Sequence, residues 1–237
     1  MADIIYGKNV VREAISTKRS ILKLYILEQN KEWIDLAKKN NIPIQTITAK
    51  QMDQMCGGLH QGVVAEVASY QFYPLMELVQ SRKLRFGLLL ILDGLEDPHN
   101  LGAILRIADA GAVDGIIIPK NRSVSLSPTV AKVSTGAIEH VKVTEVTNLT
   151  ATIKTLKENG FWIVAAENKD TAQLYNQMKY DMPIALIIGS EGKGISRLVL
   201  EQADFIVKIP MYGQVNSLNA SVSCGILVYE INKYRKD

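Results

Sequence analysis

Three stretches of the 237-residue chain set glycines and hydrogen-bonding side chains directly after an apolar run: DGLEDPHNLG from Asp93, GSEGKG from Gly189 and MYGQVNSLN from Met211. In an open α/β sheet, ligands bind beyond the C-terminal ends of the strands, so three such turns at one sheet end can wall a single site. Two charged residues stand out beside them. Arg106 lies in LGAILRIADAG among Leu101, Ile104, Leu105 and Ala108. A guanidinium in that setting needs a partner, such as Asp109 or Glu96, or a task. Glu191 sits between glycines ahead of a helical segment, where a carboxylate can cap the helix, hold a ligand hydroxyl or position Arg106.

Familiar nucleotide marks are missing. GSEGKG follows a strand and precedes a helix but lacks GxGxxG spacing, and Ile195 stands where a phosphate loop needs its lysine, so Lys193 is not that lysine. The chain has no HExxH and no GxSxG. His60, His99 and His140 are dispersed, and the two cysteines, Cys56 and Cys224, form no CxxC, so neither a metal site nor a disulfide framework is expected. His99 lies in a polar loop and reads as a solvated or capping residue before a substrate contact. An adenine-bearing cofactor held through backbone amides would need none of these motifs.

The elements that must position the loops follow from hydrophobic patterning. GKNVVREAI, KEWIDLAKKNN and AKQMDQMCG read as helices, and SILKLYILE, IPIQTIT and GVVAEVA as strands. They make a small α/β module over residues 1–68. Residues 69–85, with one proline and a basic end, are assigned as a linker with a short helix, although they also fit the first helix of the next domain and periodicity does not decide. A body over 86–237 alternates strands (GLLLILDGL, GIIIP, HVKVTEV, FWIVAAEN, IALIIG, DFIVKIP) with helical segments, ending in a helix from about Ser217 to Tyr234. That alternation predicts an α/β fold with a mostly parallel sheet.

Composition is 47% hydrophobic and 22% charged, enough for a sizeable core. No signal peptide or span-length apolar run is present, so a soluble, cytoplasmic protein is expected, with no membrane partner. The net charge is +3. Nine Lys/Arg face seven Asp/Glu over 1–68 and three face one over 69–85, while fifteen face sixteen beyond, so the slight basic excess lies outside the body. That distribution fits a nucleic-acid substrate and equally an ordinary surface.

Taken together, the three loops resemble the SpoU (TrmH) family of RNA ribose 2'-O-methyltransferases, of the SPOUT class. DPHNLGAILRIADAGAVDGIII matches its first motif, with Asn100, Gly102, Arg106 and Gly111. IALIIGSEGKGIS matches the second, with Gly189, Glu191, Gly192 and Gly194. VKIPMYGQVNSLNASVSCGILVYE matches the third, with Ile209, Pro210, Met211, Ser217, Leu218, Asn219 and Ser221. The first module, through IIYGKNVVREAI and GGLHQGVVAEV, is similar to the family's L30e-like substrate-binding domain.

The resemblance implies a C-terminal trefoil knot, S-adenosylmethionine as cofactor, a homodimer through the methyltransferase domain, and no metal. It implies cofactor binding by Gly189, Ile209, Met211, Ser217, Leu218 and Asn219, with Arg106, Glu191 and Asn100 as catalytic residues. Lys8, Arg12, Lys18 and Arg19 are the candidates to grip RNA. The implied reaction is methyl transfer to a guanosine ribose of 23S ribosomal RNA. The alternatives are the same chemistry on transfer RNA or another ribosomal nucleotide, and a non-catalytic RNA-binding protein.

Overall fold

The computed structural model describes residues 2–28, 30–56 and 58–236. In chain order its elements are β1 (Ala2–Tyr6), α1 (Lys8–Ser16), β2 (Ile21–Ile26), α2 (Lys31–Lys39), β3 (Ile44–Thr46), α3 (Ala49–Met55) and β4 (Val63–Ala68). Next come α4 (Leu75–Gln80), β5 (Leu88–Asp93), α5 (Pro98–Ala110), β6 (Gly115–Pro119), α6 (Pro128–Ser134) and a 3-10 turn (Ala137–Glu139). The remainder is β7 (Val143–Val146), α7 (Leu149–Glu158), β8 (Trp162–Ala166), β9 (Gln173–Leu174), β10 (Ile184–Gly189), α8 (Arg197–Leu200), β11 (Phe205–Lys208) and α9 (Ala220–Arg235).

The first compact unit joins Met1–Gln71 to Leu126–His140. Its sheet has the order β1-β4-β2-β3, with only β2 and β3 parallel. Trp33, Met52, Leu24 and Ile26 are buried in it. Thr48 opens α3 with a capping box, accepting from the Gln51 amide at 3.3 Å while Gln51 accepts from the Thr48 amide at 2.9 Å. Residues 126–140, assigned by pattern to the body that starts at 86, fold here instead. Polar ties explain it: Arg19 pairs with Glu139 at 2.8 Å, and the Lys132 ammonium donates to the Leu59 carbonyl at 2.8 Å.

The second unit joins Phe72–Ser125 to Val141–Asp237. Among the described residues its sheet runs β7-β6-β5-β10-β8-β11-β9, every pair parallel. β5 and β10 lie inside it, and Leu88–Leu92 and Ile184–Ile188 are buried along their length, which is why both read as unbroken apolar runs. Part of the segment taken as a linker belongs to this unit. Leu78 of α4 is fully buried, and a Cβ on Gly115 would lie 2.4 Å from its Cγ, so the glycine at the head of β6 makes room for the helix.

Helices α5 and α9 run side by side in the same direction. Asn100 meets Asn219 at their starts, a Cβ on Gly225 would touch Ile107 at 3.5 Å, and the Asn232 amide donates to the Gly111 carbonyl at 2.8 Å near their ends. Past that point the fully buried Arg235 closes the pair. It bonds Asp114 at 3.1 Å and the Phe86 carbonyl at 2.7 Å, while Asp114 accepts the Lys83 and Leu88 amides, each at 2.7 Å. Burial pushes the Asp114 carboxyl up from its ordinary value, against the pull of those amides and of Arg235. Cys56 and Cys224 are both free and buried. No helix among the described residues is long and apolar enough to cross a membrane.

Candidate active site

The parallel register brings three loops to one level. Gly189 ends β10 opposite Asp93 of β5, Ile188 lies opposite Ala166 of β8, and Ala166 opposite Val207 of β11. After β5, Asp97 caps α5 by accepting from the His99 amide at 2.9 Å, with Pro98 in the first turn. His99 is thus a helix-start residue and is exposed. After β10 the chain folds tightly on itself: Ser190 and Gly194 exchange backbone hydrogen bonds of 3.1 and 3.0 Å. A Cβ on Gly189 would lie 2.3 Å from the Gly194 carbonyl carbon, so no other residue fits there. The turn is pinned at its exit, where the Ser196 amide donates to Asp93 at 2.7 Å and the Ile195 amide to Glu167 at 3.0 Å. After β11 the third loop runs to Asn219, the N-cap of α9.

One cluster joins all three. The Asn100 amide donates to Glu191 Oε1 at 3.0 Å, and Asn219 Nδ2 donates to the same oxygen at 2.5 Å and to Asn100 Oδ1 at 2.9 Å. Asn219 Oδ1 meanwhile accepts from the Ser221 amide at 2.9 Å and its hydroxyl at 2.6 Å. Hydrogen bonds to a carboxylate are the stronger kind, so the cluster is a rigid tie between segments far apart in sequence.

Beside it lies a cleft of about 310 Å³. Gly189, Ile209, Met211, Ser217 and Leu218 all line it, as does Glu191. Asn219 is exposed and is not among the lining residues, but it bonds Glu191, which is. Glu167, Asn168 and Lys208 also line the cleft and were not singled out by sequence. Their signal was available, since each stands at the C-terminal end of a strand pattern, FWIVAAEN or DFIVKIP. A smaller cavity of about 180 Å³ is lined by Glu96, Asp97, Asn100, Lys193 and again Glu191.

Arg106 is not brought to either cavity. It is exposed, and among the described residues it has no ion pair or hydrogen bond, so the expected contacts with Asp109, Glu96 or Glu191 do not form. The reason is helical phase: Leu101, Ile104, Leu105 and Ala108 take the buried face of α5, leaving position 106 outward. It lies about 9 Å along the axis from Asn100.

In the first unit Lys8 and Lys18 are exposed. Arg12 pairs with Glu32 and lies 5.7 Å from the Trp33 ring centre. Arg19, the fourth RNA candidate, is engaged within the unit. Its guanidinium donates to Glu139 at 2.8 Å and to the Ala68 carbonyl at 2.6 Å, and covers the Tyr70 ring at 3.5 Å. No cluster of metal-ligating side chains occurs among the described residues.

This all-parallel sheet, with three loops tied across its strand ends, matches the SpoU rRNA methylase family over residues 87–229. Residues 4–73 match the RNA 2'-O ribose methyltransferase substrate-binding family. The chain belongs to the SpoU family. A TrmH-family protein of Staphylococcus haemolyticus, whose name covers both tRNA and rRNA, is 50% identical over 98% of this chain and 95% of its own. The crystal structure of an AdoMet-bound rRNA methyltransferase from Sinorhizobium meliloti shares the fold at TM-score 0.85 and 21% identity, covering 100% of this chain and 88% of that one. A structure of an RNA 2'-O ribose methyltransferase gives TM-score 0.83 and 26% identity, covering 99% of this chain and 89% of that one.

Proposed function

We propose that this protein transfers a methyl group from S-adenosylmethionine to a ribose 2'-oxygen of RNA, with a guanosine of 23S ribosomal RNA as substrate. The observation that carries the reading is the Asn100–Glu191–Asn219 cluster, which binds the three loops into one wall of a cleft. The cleft suits the cofactor. Ile188, Ile209, Leu218 and Met211 offer apolar surface for a purine, and the carboxylates of Glu167 and Glu191 offer acceptors for hydroxyls and cationic groups.

Bound S-adenosylmethionine supplies a methyl group already activated on its sulfonium. The protein's part is to align the attacking hydroxyl and to manage its charge. Alignment alone contributes on the order of several kcal/mol. A guanidinium offers donors and no acceptor, so Arg106 is assigned no role as base. From its outward face it holds the phosphate beside the target nucleotide in a bidentate contact. A substrate phosphate takes the proton. Asn100 and Glu191 shape the boundary between the cleft and the smaller cavity.

Lys8 and Lys18 of the L30e-like module meet RNA phosphates, since paired RNA is recognised by shape and backbone. The last segment is proposed to be a trefoil knot. That β10 lies between β5 and β8, while the chain after β11 returns to set α9 against α5, supports this reading. A homodimer through this domain accounts for the exposure of Val222 and Tyr229, seven residues apart on one face of α9. The protein acts in the cytoplasm.

Arg106→Ala is expected to bind S-adenosylhomocysteine normally by calorimetry and to transfer no methyl group. Lost cofactor affinity with normal turnover at saturation would contradict the assignment. Mapping the methylated nucleotide in total RNA separates 23S ribosomal RNA from transfer RNA. Cofactor binding without transfer to any RNA would favour a binding protein.

A further inference from the structure

We infer that Glu167 reads the ribose of the cofactor, accepting a hydrogen bond from its 2',3'-diol. This rests on the cofactor reading above. Glu167 is the first residue past β8, and its amide donates to the Val207 carbonyl at 3.0 Å, so its backbone is held as a continuation of the β8–β11 pairing. The side chain lines the cleft. Its Oε2 accepts the Ile195 amide at 3.0 Å, whereas its Oε1 has no hydrogen bond or ion pair among the described residues. One anchored oxygen and one open oxygen make a fixed acceptor.

The surroundings preserve that opening. A Cβ at position 194 would come within 2.8 and 3.0 Å of the two carboxylate oxygens, and the chain has glycine there. Lys208, the cation in the lining, is spent elsewhere: its ammonium donates to the carbonyls of Lys169 at 3.1 Å and Asp170 at 3.5 Å. That leaves the open oxygen for a ligand donor such as a hydroxyl. An acidic side chain at a strand end is a general solution for holding a nucleotide ribose over a parallel sheet.

The test is calorimetric binding of S-adenosylhomocysteine, its 2'-deoxy and 3'-deoxy forms, and a form lacking the α-amino group, to wild type and Glu167→Gln. The glutamine keeps an oxygen for the Ile195 amide, and an unchanged melting curve verifies that the turn is intact. Wild type should lose about tenfold in affinity or more for at least one deoxy form, the effect of one hydrogen bond to a charged group. In Glu167→Gln, S-adenosylhomocysteine should weaken by a similar factor and the deoxy penalty should vanish. The penalty for the missing amino group should not change. A variant that binds S-adenosylhomocysteine as wild type does, keeps the deoxy penalty, or loses the amino penalty instead, overturns the inference. Wild type that bound none of these compounds would overturn the cofactor reading, and this inference with it.

Discussion

Asn219 carries two loads on one side chain. Its oxygen caps α9, and its nitrogen donates to Asn100 and Glu191. The loads can be separated. Asn219→Ala should lose about 1 kcal/mol of stability from the missing cap and also weaken cofactor binding. Asn219→Ser should recover the melting temperature, because serine caps well, but not the affinity, because its hydroxyl is too short to bridge both partners. Recovery of both by serine would mean that the cap alone matters. The sequence placed Asn219 and Glu191 in polar loops. That they bond each other was not readable, because 28 residues separate them and 119 separate Asn219 from Asn100.

At the scale of elements, the α5–α9 pair depends on small residues where the helices meet. A Cβ on Gly111 would lie 2.5 Å from Val228 Cγ1 and 2.9 Å from the Ile107 carbonyl oxygen. Gly111→Ala should therefore cost about 1–3 kcal/mol by overpacking, measured as a lower urea midpoint. An unchanged midpoint would show that α9 slides freely. The central strands were legible because a strand buried on both faces is a continuous apolar run. β9 was not, since two residues carry no period. α4 stayed ambiguous because its burial comes from Gly115, a residue beyond any local window.

The whole chain is organised less linearly than its sequence suggests. Residues 126–140 return to the first unit through Arg19–Glu139 and Lys132–Leu59, contacts without a local pattern. A truncation at residue 68 would strand Glu139 without its guanidinium, so charge reversal is the cleaner probe of RNA binding. Lys8→Glu with Lys18→Glu should lower RNA affinity and flatten its salt dependence by about one unit of slope per lost phosphate contact. Cofactor affinity should stay the same. Unaltered RNA binding at several salt concentrations would remove these lysines from the interface.

Glu191 lines both the larger cleft and the smaller cavity. A partition that two chambers share cannot shift for one alone. Any guest that favours one setting of that carboxylate must alter the welcome given to a guest on the other side. Thermodynamic linkage then makes the influence mutual, with the same factor in both directions.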